Sequence, residues 1–211
     1  MLFTRVRRGL LAGLCLALAP LSLSAQSKQY DFKDPKGVNN VSFVLDSELE
    51  PIMGVANGIS GEIKCDPADF KKLTGKIVIA ADSVQFANKD MTKSLQGADM
   101  LDVQKHKEII FELKSVDSVK PDPTAKDRQV LEVTGSLTCH GITKDLKVTV
   151  TVSALAGRLK DRVGGKAEGD LLVVRSQFTM KRSDFKLGAA SPLVADEMQI
   201  RVAIVGQCPK S

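Results

Sequence analysis

From position 131 to 139, apolar or small residues occupy every second place. Leu131, Val133, Gly135, Leu137 and Cys139 alternate with Glu132, Thr134, Ser136 and Thr138. Only an extended strand places residues i and i+2 on one face, so this period of two predicts a strand with one buried side. The same pattern recurs along the chain. It places Val41, Phe43 and Leu45 on one face, and Ile59, Gly61, Ile63 and Cys65 on another. Ile77 and Ile79 continue toward Val84 and Phe86, and Ile109, Phe111 and Leu113 follow. Leu146, Val148, Val150, Val152 and Ala154 oppose Lys147, Thr149, Thr151 and Ser153. A long segment spans about Lys166 to Arg182, and Met198, Ile200, Val202 and Ile204 come last. The expectation is about eight strands.

The breaks carry turn chemistry: Asp66-Pro67, Pro121-Asp122-Pro123, Gly164-Gly165, and His140-Gly141 between two strongly alternating runs, a hairpin signal. A short turn is also expected at 69–72. Asn88 to Asp102 differs from the rest. Met91, Leu95 and Ala98 recur at helical spacing, with Asp90 or Thr92 as the expected N-cap. No repeat or linker tract divides the chain after the first 25 residues, so 26–211 reads as one domain.

Eight mostly antiparallel strands must protect their edges, and closure removes the edges altogether. The expected fold class is therefore all-β, with about eight antiparallel strands closed into a barrel. A β-sandwich is the competing architecture. An eight-stranded barrel is either just filled by its own side chains or holds one slender ligand, and periodicity does not separate the two.

Residues 1–25 read as a secretory signal peptide. Arg5, Arg7 and Arg8 precede an apolar run from Gly9 to Leu21, and small residues follow at Ser22, Ser24 and Ala25. Cleavage is expected after Ala25 or Ser24. The apolar run is shorter than the ~20 residues that span a bilayer, so no stable membrane insertion is expected. The expected location is periplasmic or secreted. Loss of the three arginines takes Lys+Arg from 30 to 27 against 25 Asp+Glu, so net charge falls from +5 to +2. No dense basic patch remains. With eight Phe, one Tyr and no Trp, stacking platforms for single strands are scarce, and nucleic acid is not an expected partner.

Catalytic and metal signals are sparse. Two histidines and four cysteines offer little material for a metal site, and none is expected. His140 in its turn and His106 in a polar run read as solvated residues. Cys139 and His140 point to opposite faces, so no thiol–imidazole pair is expected. Asp82, Asp90, Asp99 and Asp102 lack calcium-loop spacing. No Walker loop, zinc spacing or nucleophile motif is present, and the chain is expected not to be an enzyme. Cys65 ends a strand and Cys208 follows the last one. A Cys65–Cys208 bridge is the expected pairing if one forms, against three free thiols.

Several segments together carry a resemblance. Asp99-Met100-Leu101-Asp102-Val103 leads through Lys107 into Ile109-Ile110-Phe111-Glu112. Gly135-Ser136-Leu137-Thr138-Cys139-His140-Gly141-Ile142-Thr143-Lys144 then precedes an alternating strand, and Ala80-Ala81-Asp82-Ser83-Val84 precedes the helical stretch. The chain resembles the YceI-like family of exported polyisoprenoid-binding proteins from about Val38 to Gly206. It departs from that pattern at Lys89-Asp90-Met91-Thr92-Lys93-Ser94-Leu95, which lacks the family's histidine, and at Met100 in place of an aromatic.

The resemblance implies an extended antiparallel eight-stranded lipocalin-like barrel with one covering helix over one opening, enclosing a long-chain lipid or the tail of an isoprenoid quinone. The expected contacts are Phe43, Ile59, Ile63, Ile77, Ile79, Phe86, Leu95, Met100, Phe111, Leu113, Leu131, Val133, Leu137, Val148, Val150 and Phe178. No cofactor is expected beyond such a lipid. Lys89, Lys93, Lys105 and Lys107 flank the helix, where an anionic head group or plain solvent is their expected neighbour. A homodimer is left open. The alternative function is an exported β-domain with a filled core that acts as a protein-interaction module.

Overall fold

The structure, a computed structural model, describes residues 27–49, 51–188 and 193–210. The expected signal segment lies outside them. Eleven strands form, in chain order: β1 (Lys28–Asp31), β2 (Asn40–Ser47), β3 (Ile52–Ala56), β4 (Ile59–Asp66), β5 (Asp69–Ala80), β6 (Val84–Phe86), β7 (Glu108–Pro121), β8 (Gln129–Cys139), β9 (Ile142–Leu155), β10 (Gly169–Lys181) and β11 (Val194–Pro209). Two short helices join them, α1 (Lys89–Leu95) and α2 (Leu159–Val163).

Eight of these strands close a ring, in the order β1-β4-β5-β7-β8-β9-β10-β11, and β11 pairs back to β1. Every described pairing is antiparallel. The architecture is a closed barrel, not a sandwich. β2, β3 and β6 extend the sheet from β11. β1 and β2 therefore share β11 in succession, β1 at Gln207 and β2 from Ala203 to Val194.

The alternation predicted for β8 appears in its burial: Leu131, Val133, Leu137 and Cys139 are all buried. The hairpin turn forms at His140-Gly141, and both residues have positive φ, 49° and 71°. Two such residues in a two-residue loop make a turn whose twist matches the flanking strands. Gly135 is needed for a different reason. A Cβ there would lie 2.4 Å from Phe111 Cζ, so the ring packs directly on bare backbone.

Several local expectations need correction. The segment at 69–72 is the start of β5, and the turn falls at 67–68. A 3-10 turn at Ala81–Ser83 separates β6 from β5. Helix α1 is capped by Asn88, whose side chain accepts from the Asp90 and Met91 N–H groups at 2.9 and 3.0 Å. Thr92 instead ties α1 to β6, with Oγ1 accepting from Phe86 N–H and donating to Phe86 O. The expected Cys65–Cys208 bridge is absent; both thiols are free. The reason is topological, because β1 lies between β4 and β11 and keeps the two carrier strands from being neighbours.

Where the chain leaves β1 for β2, a buried polar cluster replaces the missing ladder. Asp34 accepts from the Val38 and Asn39 N–H groups at 2.8 and 2.7 Å and pairs with Arg162 of α2 at 2.8 Å. Burial raises the Asp34 pKa. The N–H of Asn39, the Arg162 guanidinium and the N–H groups of Lys36 and Val38 outweigh it, leaving the pKa below the ordinary carboxylate range. A depressed folded-state pKa contributes stability above the unfolded value of about 3.9, and that contribution is lost as pH falls through the folded value. Asp34→Asn is thus expected to cost most at neutral pH. The gap in urea midpoint between wild type and variant should narrow below about pH 4. A gap that stays constant to pH 2 would contradict this role.

Candidate functional site: an apolar cavity under helix α1

The barrel is not filled. A cavity of about 680 Å³ runs inside it, within the ~300–1,000 Å³ range of small-molecule sites. Its extent can be traced strand by strand. The wall includes Ile63 but not Cys65, Val152 but not Ala154, and Val174 but not Leu172. Beyond those limits lie buried side chains. Tyr30 and Phe32 are completely buried there, together with Leu172, and none of them reaches the cavity. The chamber is therefore blind at the end closed by β1.

At the other end lie α1 and the segment that follows it. Met91, Ser94 and Leu95 of α1 face the cavity, with Met100, Leu101, Leu187 and Gly188 beside them. Gln96 holds this cover to the barrel, with Nε2 donating to Asp82 O at 2.8 Å and Val84 O at 3.0 Å.

All the expected contact residues except Ile59 stand on the cavity wall. Ile59 is buried in the core opposite Ile79, and Ile79 takes the wall position of that pair. The expected contacts also left out part of the wall, including the face of the last strand that the alternation marks at Met198, Ile200 and Val202. Met180 contributes as well, and so does buried Arg182. Arg182 Nε donates to Ala195 O at 3.0 Å and Nη1 to Leu187 O at 2.8 Å, which fixes the guanidinium at the covered end. No sequence motif flags it. Lys89, Lys93, Lys105 and Lys107 do not line the cavity; Lys76 is the lysine that does.

Cys139 lies on the wall and Cys65 beyond it, and burial pushes both thiols up to about 12. Thiolate is the nucleophile, so both should be inert near neutral pH. In the folded protein at pH 8, Ellman's reagent is expected to react first with half-buried Cys208, and with Cys65 and Cys139 only after guanidinium is added. Equal native rates for the three would contradict the burial.

Among the described residues, one set of donors of metal-binding type gathers, and it lies outside the cavity wall: Asp102, His106 and His140. The two histidines are not the solvated residues expected from sequence. Both are half-buried, and their rings meet edge to face with centroids 5.0 Å apart. His140 sits in a turn, but Phe185 after β10 provides a carbonyl 3.1 Å from its Nδ1.

Comparison with known proteins adds the lineage. The YceI-like domain matches residues 34–206. The chain belongs to the YceI-like family. A UPF0312 protein of Vibrio parahaemolyticus is 28% identical over 190 residues, covering 89% of this chain and 93% of that protein. Among solved structures, Burkholderia cenocepacia BcnA superposes with a TM-score of 0.63 at 23% identity, over 79% of this chain and 95% of its own. A polyisoprenoid binding domain from Saccharophagus degradans gives 0.61 at 11% identity, over 87% of this chain and 100% of its own. At these identities the likeness is one of fold. In this YceI-like chain, no helix among the described residues is long and apolar enough to cross a membrane.

Proposed function

We propose that this protein is an exported, non-catalytic carrier that holds one long-chain, isoprenoid-like amphiphile in the barrel, tail inward and head beneath α1. The observation that carries the reading is the blind cavity of about 680 Å³ walled by side chains such as Leu131, Val133, Val148 and Ile200. Burial of hydrocarbon contributes roughly 0.8 kcal/mol per CH2. Ten such groups give about 8 kcal/mol before the cost of association, which is of order 4–15 kcal/mol. Longer chains gain more, so length rather than a precise polar constellation sets affinity.

The blind end favours a tail that enters one way. Arg182 on the wall at the covered end offers a positive charge to a polar or anionic head. The polyisoprenoid-binding neighbour supports the same ligand class. Export is inferred from the basic, then apolar, then small-residue order of residues 1–25. A filled-core interaction module is the weaker reading, since a core of that kind has no room for such a chamber.

Organic extraction of the purified protein followed by mass spectrometry tests the proposal. One long-chain lipid per chain is the expected result. Repeated recovery of none, from hosts that make isoprenoid lipids, would overturn it.

A further inference from the structure

The pair of histidines outside the cavity carries a separate inference, independent of the lipid reading. We propose that Asp102, His106 and His140 bind a first-row divalent transition metal ion of the zinc class and so tie the segment after α1 to the β8–β9 hairpin. One donor atom from each lies within 4.8 Å of the others. Donors around one zinc ion, at 2.0–2.1 Å from it, stand about 3.3 Å apart in a tetrahedral site. The difference is about 1.5 Å at most, which side-chain rotation can supply.

The backbone brings these groups together deliberately. Asp102 N–H donates to Gly97 O at 2.8 Å, and His106 N–H donates to Asp102 O at 2.8 Å, closing a turn that sets both side chains on one side. Asp102 has φ 44° and His140 φ 49°, left-handed values that side-chain-bearing residues seldom adopt. His106 lies flush against the hairpin, because a Cβ on Gly141 would come within 2.6 Å of its Cε1. A glycine here makes room for the ring as well as for the turn.

The donor chemistry fits a metal. A carbonyl only accepts, so His140 Nδ1–H donates to Phe185 O, at 3.1 Å. In the neutral ring this sets the tautomer with the lone pair on Nε2, the arrangement in which metal-bound histidines are usually held. Asp102 is buried and ionised, and its present partner is the Lys105 ammonium at 2.9 Å. That lysine side chain is 75% exposed and can return to water when a metal replaces it. Two imidazoles with one carboxylate suit zinc, cobalt or nickel, not the all-oxygen shells of calcium and magnesium. Three protein ligands leave a further position for water. Leu101 and Met100, next to Asp102, line the covered end of the cavity, so the ion would stiffen the cover.

Both histidines of the chain are in this cluster, which makes the test clean. Tag-free protein freed of metal with EDTA is titrated with zinc chloride by calorimetry and with cobalt chloride by visible absorption. One equivalent should bind, with cobalt d–d bands of a low-coordinate nitrogen–oxygen site. His106→Gln and His140→Gln should each weaken binding at least about tenfold, while exposed Asp99→Asn leaves it unchanged. Should a variant fail to fold, the wild type still decides: stoichiometric zinc should shield both histidines from diethyl pyrocarbonate. Absence of stoichiometric zinc binding, wild-type affinity in the His106→Gln/His140→Gln double variant, or unprotected histidines with zinc bound would overturn the site.

Discussion

Val148→Trp should empty the barrel of lipid and leave the fold intact. Val148 lies opposite Val133 in the β8–β9 ladder, and both side chains face the cavity. In a filled core, forcing in that much extra volume costs about 1–3 kcal/mol through off-rotamer strain. Here the indole has about 680 Å³ to enter, so the melting temperature should move by no more than about 3 °C. The ligand loses the same space. Exclusion of about four CH2 groups costs roughly 3 kcal/mol, or about 100-fold in affinity. Thermal melts and lipid quantified per mole of protein check the two halves together. Severe destabilisation would mean that the interior is packed solid; unchanged lipid content would mean that the lipid sits elsewhere.

Asn39→Ala should be the most destabilising polar substitution in the molecule. Asn39 is 1% exposed. Its Nδ2 donates to Phe32 O and Val205 O, both at 3.1 Å, while its Oδ1 accepts from Val205 N–H and Arg162 Nη2, both at 2.8 Å. The side chain thus replaces a ladder rung where the edge of β11 passes from β1 to β2. Truncation strands several buried partners at once, and each stranded group costs about 1–3 kcal/mol. Partial relaxation brings the expected total to about 3–4 kcal/mol, or roughly 10 °C in melting temperature. Asn39→Asp should fail too, because a carboxylate cannot donate to the two carbonyls. Differential scanning calorimetry reads both variants, and a shift below about 2 °C for Asn39→Ala would contradict the cluster's role.

Legibility in the sequence followed the length of each pattern. Strands β8 and β9 alternate over long runs, and His140-Gly141 marks their turn, so this hairpin could be read directly. β1 has four residues and α2 five, too few to show a period. β3 carries Gly54 and Ala56 in a five-residue strand, which hides its alternation. The cap of α1 moved to Asn88 because a cap is decided by which side chain meets the free N–H groups, not by composition. The wall of the cavity was largely legible, since inward faces follow from parity. Whether the wall encloses space was not, because parity is the same for a packed barrel and a hollow one. His106 and His140 are far apart in sequence and meet only through the fold, so neither could be recognised as half of a pair. Arg182 stays hidden for the same reason, as its anchors at Leu187 and Ala195 depend on how the chain returns into β11.

The most direct measurement is a crystal structure of the protein purified, without added ligand, from a host that makes isoprenoid lipids. One elongated stretch of non-protein density should run from beneath Leu95 and Met100 inward to Leu131 and Val152. A barrel in which those four side chains close on one another, leaving no chamber, would contradict the account.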